Sequence, residues 1–202
     1  MAKGAIFDMD GVLIDSFYAW AKTVDMAAKN FGYGGVTIEE FKPCFGQSTE
    51  KDIENFMDDV SVGELERFYN DAFPEFLDKT RLIAGAKELL DELKKRGVKI
   101  ALATNTNRFI AEKQLEVVGI KDYFDVIVCG DDVSKAKPDP MILEKTVSDL
   151  GLSKDDCIYV GDTLTDVETG KNAGVFTIGF KINADVFVDE LIDVVEYIEE
   201  KC

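Results

Sequence analysis

Short apolar runs recur along the chain and predict the strands of a buried sheet. They occupy residues 3–9, 99–105, 125–130, 157–162 and 175–180. Most of them are rich in Ile, Val and Ala and show little alternation between apolar and polar residues. This pattern is typical of parallel strands, because helices cover both faces of such a sheet. We therefore predict a parallel sheet of five strands.

Helical patterns separate the predicted strands. They cover residues 84–96, 107–118, 139–150 and 186–201. The first two end before Gly97 and Gly119, and glycine suits the left-handed position that follows a helix. Asp139 and Pro140 are expected to be the N-cap and the first residue of the third. Strands that alternate with helices predict right-handed crossovers, and hence an α/β fold with a doubly wound, Rossmann-like core.

Residues 14–82 break this alternation and contain no convincing strand. Four helices are predicted there, and they begin at Ser16, at the capping box Thr37-x-x-Glu40, after Ser48 and at the capping box Ser61-x-x-Glu64. Helices inserted directly after the first strand predict a small cap subdomain. The predicted division is a core of residues 1–13 and 83–202 and a helical cap of residues 14–82. Trp20 lies in this cap, where we favour packing over substrate contact.

Charge and composition narrow the function classes. The chain has 202 residues, of which 46% are hydrophobic and 31% charged, and its net charge is −17. A charge of this sign repels nucleic acid backbones, so we expect no nucleic-acid partner. No apolar run reaches about 18 residues, and charge comes too early for a secretory signal, so we expect no membrane span and a cytoplasmic location. The absence of histidine excludes Ser-His-Asp catalysis, Cys-His catalysis and zinc sites with His ligands.

Polar residues follow four of the predicted strands. They are Asp8, Asp10 and Gly11 at the first, Thr104 and Asn105 at the second, Lys137 after the third, and Asp162 and Asp166 at the fourth. In open α/β sheets, ligands bind beyond these carboxyl ends of the strands. Several carboxylates in one crevice repel each other unless a divalent cation lies among them. Oxygen ligands without His or Cys point to Mg²⁺.

Because of these residues and their order, the chain resembles phosphatases of the haloacid dehalogenase superfamily. It is similar to the group with a helical cap after the first strand, which includes phosphoglycolate phosphatases. Residues Phe7-Asp-Met-Asp-Gly-Val-Leu-Ile-Asp-Ser16 match the first motif of that family, and Gly161-Asp-Thr-Leu-Thr-Asp166 match the fourth. Thr104 matches the second motif and Lys137 the third. The resemblance covers essentially the whole chain. It implies a Mg²⁺-dependent phosphatase with an aspartyl-phosphate intermediate.

The resemblance also implies roles for the acidic residues. Asp8 would be the nucleophile. Asp10 would protonate the leaving group and then activate water. The Mg²⁺ ion would be held by the Asp8 carboxylate, the Asp10 backbone carbonyl and Asp162, while Asp166 would orient a metal-bound water. These four residues form the predicted metal set. The predicted catalytic residues are Asp8, Asp10, Thr104 and Lys137.

The remaining motif residues are expected to bind the phosphoryl group. Thr104 and the neighbouring Asn105 would contact phosphoryl oxygens. Lys137 would neutralise the charge of the transition state, and Lys135 is interpreted as a surface residue. Gly11 would let the chain turn sharply after the strand.

Three other functions compete with a monoester phosphatase. A sugar-phosphate mutase of the β-phosphoglucomutase kind is disfavoured because its cap loop carries a Gly-x-x-Arg pattern, whereas Gly46-Gln47-Ser48-Thr49 ends in threonine. An inorganic pyrophosphatase of the same superfamily fits the core motifs equally well. A phosphoaccepting receiver domain is disfavoured because its acceptor Asp ends the third strand and it lacks the helical insert.

The expected partner is a small phosphorylated metabolite, either phosphoglycolate-like or a sugar phosphate. The cap would select among such substrates, and its contacts cannot be read from one sequence. Either a monomer or a homodimer is compatible with the chain.

Overall fold

A computed structural model describes residues 2–200 of the chain. The predicted last helix ends at residue 201, and that residue lies outside the described range. The strands are β1 (Gly4–Phe7), β2 (Ile14–Asp15), β3 (Arg81–Leu82), β4 (Lys99–Ala103), β5 (Val126–Val128), β6 (Cys157–Gly161), β7 (Phe176–Phe180) and β8 (Val186–Val188). The helices are α1 (Phe17–Asn30), α2 (Ile38–Phe41), α3 (Thr49–Phe56), α4 (Val62–Ala72), α5 (Ala86–Lys95), α6 (Arg108–Val118), α7 (Met141–Leu150), α8 (Leu164–Ala173) and α9 (Val194–Glu200).

The main sheet is parallel throughout and has the order β5-β4-β1-β6-β7-β8. The predicted α/β fold with a parallel, Rossmann-like core is therefore confirmed. The first strand is buried on both faces, since Phe7 packs in one hydrophobic cluster and the adjacent Ile6 packs in another. Its central place between β4 and β6 puts residue 8 at the middle of the carboxyl edge.

The sheet has six strands, and the prediction of five was wrong by one edge strand. Residues 186–193 were assigned to a terminal helix, but Val186–Val188 pairs with β7 and the helix begins at Val194. The backbone N–H of Lys181 donates to the carbonyl of Val188 at 2.8 Å and closes this edge. A run of three residues is too short for its sequence pattern to distinguish a strand from a helix, and here the hydrogen bonds to β7 decide it.

Helix boundaries follow the predicted capping residues closely. Gly119 adopts the left-handed conformation after α6, and Asn107 accepts a hydrogen bond from the backbone of Ile110 at its start. The start of α7 differs by one position, because Pro140 occupies the N-cap position instead of Asp139. The Asp139 carboxylate still accepts a hydrogen bond from the N–H of Met141 at 3.1 Å. It therefore satisfies one of the free N–H groups of that helix.

The helices between β2 and β3 pack around a separate hydrophobic cluster, which also includes Ile110 of α6. Both predicted capping boxes, Thr37 with Glu40 and Ser61 with Glu64, are formed. The expectation of no strand in this segment was wrong, because Ile14–Asp15 and Arg81–Leu82 pair as a short antiparallel ladder. The two connections between the helical insert and the sheet are thus tied to each other. We refer to residues 14–82 as the cap, and its bounds stay a prediction.

No helix among residues 2–200 is long and apolar enough to cross a membrane.

Candidate active site

Asp8 and Asp10 lie directly after β1 and are both 4% exposed. The N–H of Asp8 donates to the carbonyl of Val160 at 2.9 Å, which continues the pairing with β6 by one residue. The two side chains have different hydrogen-bond partners, yet both line one cavity. The end of the first strand thus supplies two buried carboxyl groups to the same cavity.

Lys137 joins the acidic groups. Its ammonium lies 2.6 Å from Oδ1 of Asp8 and 2.8 Å from Oδ1 of Asp166, and its side chain is 2% exposed. It also donates to the hydroxyl of Tyr159 at 2.9 Å, and that hydroxyl donates to Asp166 at 2.5 Å. One buried cation therefore fixes residues from three separate parts of the chain.

The charges in this cluster shift the pKa of each member. Burial raises the pKa of Asp8 well above its ordinary value, although the Lys137 ammonium acts in the opposite direction. Burial also acts to raise the pKa of Asp166, but the attraction and hydrogen bonds of Lys137 outweigh it and the pKa is lowered. For Lys137 burial favours the neutral form, and the two carboxylates reverse this and raise its pKa. The Lys137 ammonium therefore keeps Asp166 charged, and it offsets only part of the effect of burial on the pKa of Asp8.

Asp162 supplies a third carboxylate. Burial and the repulsion of Asp166 raise its pKa to about 7. Its Oδ1 is buried and has no hydrogen-bond partner among the described residues. Carboxylate oxygens of Asp8, Asp162 and Asp166 all lie within 4.8 Å of one another. Three acidic groups with one lysine and an unpartnered oxygen fit a hard divalent cation with oxygen ligands, such as Mg²⁺.

Two glycines make room for these carboxylates. Gly11 has a φ of +94°, and a Cβ there would lie 2.2 Å from Oδ2 of Asp162. A Cβ on Gly161 would lie 2.2 Å from Cβ of Asp166. Gly11 was expected to allow a sharp turn, and the structure shows that it also lets Asp162 approach the end of β1.

Thr104 and Asn105 follow β4 and lie beside Asp8 and Asp10 in the lining of the cavity. Thr104 is 1% exposed and its hydroxyl accepts a hydrogen bond from the N–H of Thr106 at 3.1 Å. Asn105 accepts from the backbone N–H of Lys137 at 3.0 Å and donates to the carbonyl of Gly46 at 3.3 Å. Asn105 thus connects the lysine segment with the cap.

Asp10 is held by residues that the sequence analysis did not assign to the site. Its carboxylate accepts hydrogen bonds from Ser16, from Thr106 at 2.7 Å and from Gln114 at 3.3 Å. Burial raises the pKa of Asp10, and these hydrogen bonds lower it in part. Ser16 belongs to the first motif and could have been found there. Thr106 and Gln114 carried no such signal, because only the fold brings them to Asp10 from about 100 positions away.

Other polar residues near the motifs have structural roles. Thr163 and Asp166 form the capping box of α8, so Asp166 both caps a helix and binds Lys137. Lys135 is 68% exposed at its side chain and pairs with Asp139 at 3.5 Å, which confirms its interpretation as a surface residue.

The cavity between sheet and cap has a volume of about 30 Å³. Its floor contains Asp8 and Asp10, and its cap side contains Trp20, Asp52 and Tyr69. The Trp20 ring packs on Phe73 and Tyr69, with centroid distances of 4.6 and 5.5 Å. Trp20 therefore packs within the cap, as expected, and also faces the cavity.

Comparisons with known proteins show similarity across the whole chain. A family model described as haloacid dehalogenase-like hydrolase matches residues 5–180. The pyrophosphatase PpaX of Halalkalibacterium halodurans is 32% identical over 186 residues, which cover 91% of this chain and 86% of that protein. The phosphoglycolate phosphatase of Rhodospirillum rubrum is 33% identical over 190 residues, which cover 87% of this chain and 78% of that protein.

Solved structures share the same architecture. The crystal structure of β-phosphoglucomutase from Clostridium difficile matches with a TM-score of 0.86 and 23% identity, and the match covers 100% of this chain and 97% of that one. At this identity the match establishes a common fold and leaves the reaction open. The similarity extends through the sheet and the helical insert alike.

Proposed function

Because the chain belongs to the haloacid dehalogenase-like hydrolase family, we propose that it is a Mg²⁺-dependent phosphatase that hydrolyses a small phosphate monoester through an intermediate on Asp8. The observation that carries this proposal is the convergence of Asp8, Lys137 and Asp162 at one edge of the sheet. A nucleophilic carboxylate, a buried cation and a free carboxylate oxygen are the parts that phosphoryl transfer to an aspartate requires.

In the first step an Asp8 oxygen attacks phosphorus and the bond from phosphorus to the alcohol oxygen breaks. Asp10 transfers its proton to the departing alkoxide, and its burial-raised pKa suits a proton donor. In the second step Asp10 takes a proton from the water that attacks the aspartyl-phosphate, and Asp8 and inorganic phosphate are released. The hydrogen bonds from Ser16 and Thr106 keep the Asp10 carboxyl in place for both transfers.

Lys137 and the cation site supply the charge that these steps need. The Lys137 ammonium lies beside the attacking carboxylate, where it stabilises the equatorial phosphoryl oxygens as charge develops. Asp8 and Asp162 would hold the Mg²⁺ ion together with the backbone carbonyl of Asp10, and Asp166 would orient a bound water. When bound, the ion adds positive charge at the phosphoryl group and lowers the pKa of Asp8.

Thr104 and Asn105 are the proposed donors to the phosphoryl oxygens. Both lie in the cavity lining next to Asp8. The Thr104 hydroxyl and the Asn105 backbone N–H offer neutral hydrogen bonds, so they position the group without adding charge.

Hydrolysis is favoured over isomerisation by the cap loop. A mutase has to hold a second phosphoryl group, and Thr49, which lines the cavity, carries no charge for this. Inorganic pyrophosphate hydrolysis remains the alternative within the same chemistry, and one relative bears the name of that activity. We further propose that the enzyme acts on a phosphorylated metabolite in the cytoplasm, as a monomer or homodimer.

The proposal is tested by following phosphate release beside ³¹P NMR spectra. The substrates are β-glucose 1-phosphate with a trace of bisphosphate primer, phosphoglycolate and inorganic pyrophosphate, each with Mg²⁺. We expect inorganic phosphate from at least one ester. Accumulation of glucose 6-phosphate faster than inorganic phosphate would show a mutase, and cleavage of pyrophosphate alone would show the alternative hydrolase.

A further inference from the structure

An acidic residue of the cap faces the catalytic cavity. Asp52 lies on α3, is 7% exposed and lines the same cavity as Asp8. The hydroxyl of Tyr69 donates a hydrogen bond to Oδ2 of Asp52 at 2.9 Å. The Tyr69 ring packs edge-on against Trp20, so the position of the Tyr69 hydroxyl is fixed by packing. Asp52 is therefore a pre-positioned carboxyl group opposite the proposed nucleophile.

Among residues 2–200, no lysine or arginine balances the charge of Asp52. The described residues that line the cavity include no lysine and no arginine. Tyr69 is also the one described side chain that hydrogen-bonds to the Asp52 carboxyl. Burial without a counter-ion raises the pKa of Asp52 to about 7. Among the described residues, the cap side of the cavity thus carries an acid and no positively charged side chain.

The bond to Tyr69 does not by itself require an acid. An asparagine of almost the same size would accept this hydrogen bond and would not lose the solvation of a carboxylate. The ionised aspartate at position 52 therefore lowers the folding stability of the cap relative to an asparagine. Side chains that lower folding stability and line a candidate active-site cavity are characteristic of residues that contact a ligand.

We propose that Asp52 selects phosphate monoesters whose alcohol part donates hydrogen bonds to it and carries no negative charge. This rests on the proposed phosphatase function, in which the alcohol part of the substrate points from Asp8 toward the cap. A hydroxyl or ammonium group would give Asp52 a second donor beside the Tyr69 hydroxyl. Above its pKa of about 7 Asp52 is ionised, and a carboxylate or a second phosphoryl group would then face its negative charge at close range.

Three esters of nearly equal size separate these chemistries. They are 2-phosphoglycolate, 2-hydroxyethyl phosphate and 2-aminoethyl phosphate, which end in a carboxylate, a hydroxyl and an ammonium group. For each ester kcat/KM is measured above the pKa of Asp52, at about pH 8, with the wild type, with Asp52→Asn and with Glu54→Gln. Glu54 is a matched control, because it lies on the same helix with its side chain 60% exposed.

In the wild type we expect the hydroxyl or the ammonium ester to exceed phosphoglycolate by about tenfold or more in kcat/KM. The Asp52→Asn change should reduce this ratio at least fivefold, by raising the value for phosphoglycolate and lowering that for the preferred ester. Glu54→Gln should leave the ratio unchanged. The better of the two non-anionic esters identifies the donor that Asp52 binds.

A wild-type preference for phosphoglycolate, or a ratio that Asp52→Asn does not change, would overturn the inference. A purely structural role for Asp52 would alter all three esters equally, so the ratio separates the two cases. Hydrolysis of p-nitrophenyl phosphate by wild type and Asp8→Asn is measured alongside. A wild type that is no more active than Asp8→Asn would refute the phosphatase itself. A wild type that is much more active than Asp8→Asn, with an unchanged ester ratio, would refute only the role of Asp52.

Discussion

Lys137 and Asp8 form an ion pair with a distance of 2.6 Å between Nζ and Oδ1, although 129 positions separate them in the sequence. The pair is buried, and Asp166 completes it from the other side. Removing one partner of such a cluster leaves charges without compensation in a low-dielectric environment. Lys137 therefore couples stability to catalysis in this fold.

The first prediction concerns that coupling. Lys137→Met should lower kcat by about 10³-fold or more, since the transition-state charge loses its nearest protein cation. It should also lower the free energy of unfolding by about 3 kcal/mol, because Asp8 and Asp166 remain buried without a counter-ion. Lys135→Met is the control, and it should change neither quantity measurably because Lys135 is exposed. Equal kinetics for the two variants would remove Lys137 from the mechanism.

The second prediction uses the raised pKa of Asp52. The folded state holds the Asp52 proton up to about pH 7, whereas an unfolded aspartate loses it near pH 4. The folded state therefore binds more protons between these values, and wild-type stability should fall as pH rises through this window. Urea unfolding of Asp52→Asn and wild type should show a difference that grows from pH 4 to pH 7 in favour of the variant, by at most about 4 kcal/mol. A constant difference would mean that Asp52 has an ordinary pKa.

The third prediction concerns the cation. Activity should require Mg²⁺ and disappear with EDTA. Ca²⁺ should inhibit, because its higher coordination number can draw both Asp8 oxygens into its shell and away from attack. Asp162→Asn should weaken Mg²⁺ binding at least about tenfold in a calorimetric titration, whereas the exposed Asp155→Asn should not. Full activity after exhaustive chelation would contradict the assignment of Asp162.

The fourth prediction concerns movement of the cap. The cavity of about 30 Å³ is small for a phosphate ester, so we expect the cap to open when substrate enters. Its connections, residues 14–16 and 82–85, are the predicted hinges, and closure would exclude bulk water from the intermediate. Beryllofluoride mimics a phosphoryl group on Asp8, so small-angle X-ray scattering should show a more compact particle after its addition. Asp8→Asn, which cannot form the adduct, should not respond, and an identical wild-type profile with proven binding would argue against a moving cap.

Much of the sheet could be predicted from sequence because its central strands are uniformly apolar. The five predicted runs all contain observed strands, since a strand buried on both faces has no polar positions. The edge strand Val186–Val188 could not be predicted, because three residues are too few to show a periodic pattern of apolar positions. Its strand conformation depends on hydrogen bonds to β7. The ladder of β2 and β3 is shorter still, with two residues in each strand.

The candidate site also contains some residues that the sequence could predict and others that it could not. Asp8, Asp10 and Asp162 follow strands and could be grouped from the rule that ligands bind at the carboxyl edge. Thr106 and Gln114 hold Asp10 through contacts that depend on how α6 packs on the sheet, and no local pattern marks them. Asp52 was missed because an acid in an amphipathic helix normally faces solvent, and only the packing of α3 and α4 buries it.

The central claim, that Asp8 is the nucleophile, is tested most directly by the rate of phosphate release from Asp8→Asn. The change keeps the shape of the side chain and removes the attacking oxygen. We predict a loss of about 10⁴-fold or more at unchanged Mg²⁺ content and unchanged circular dichroism, because no other group replaces a covalent nucleophile. The exposed Asp155→Asn is the matched control and should retain wild-type rates. If Asp8→Asn keeps a tenth of the wild-type rate under these conditions, Asp8 is not the nucleophile.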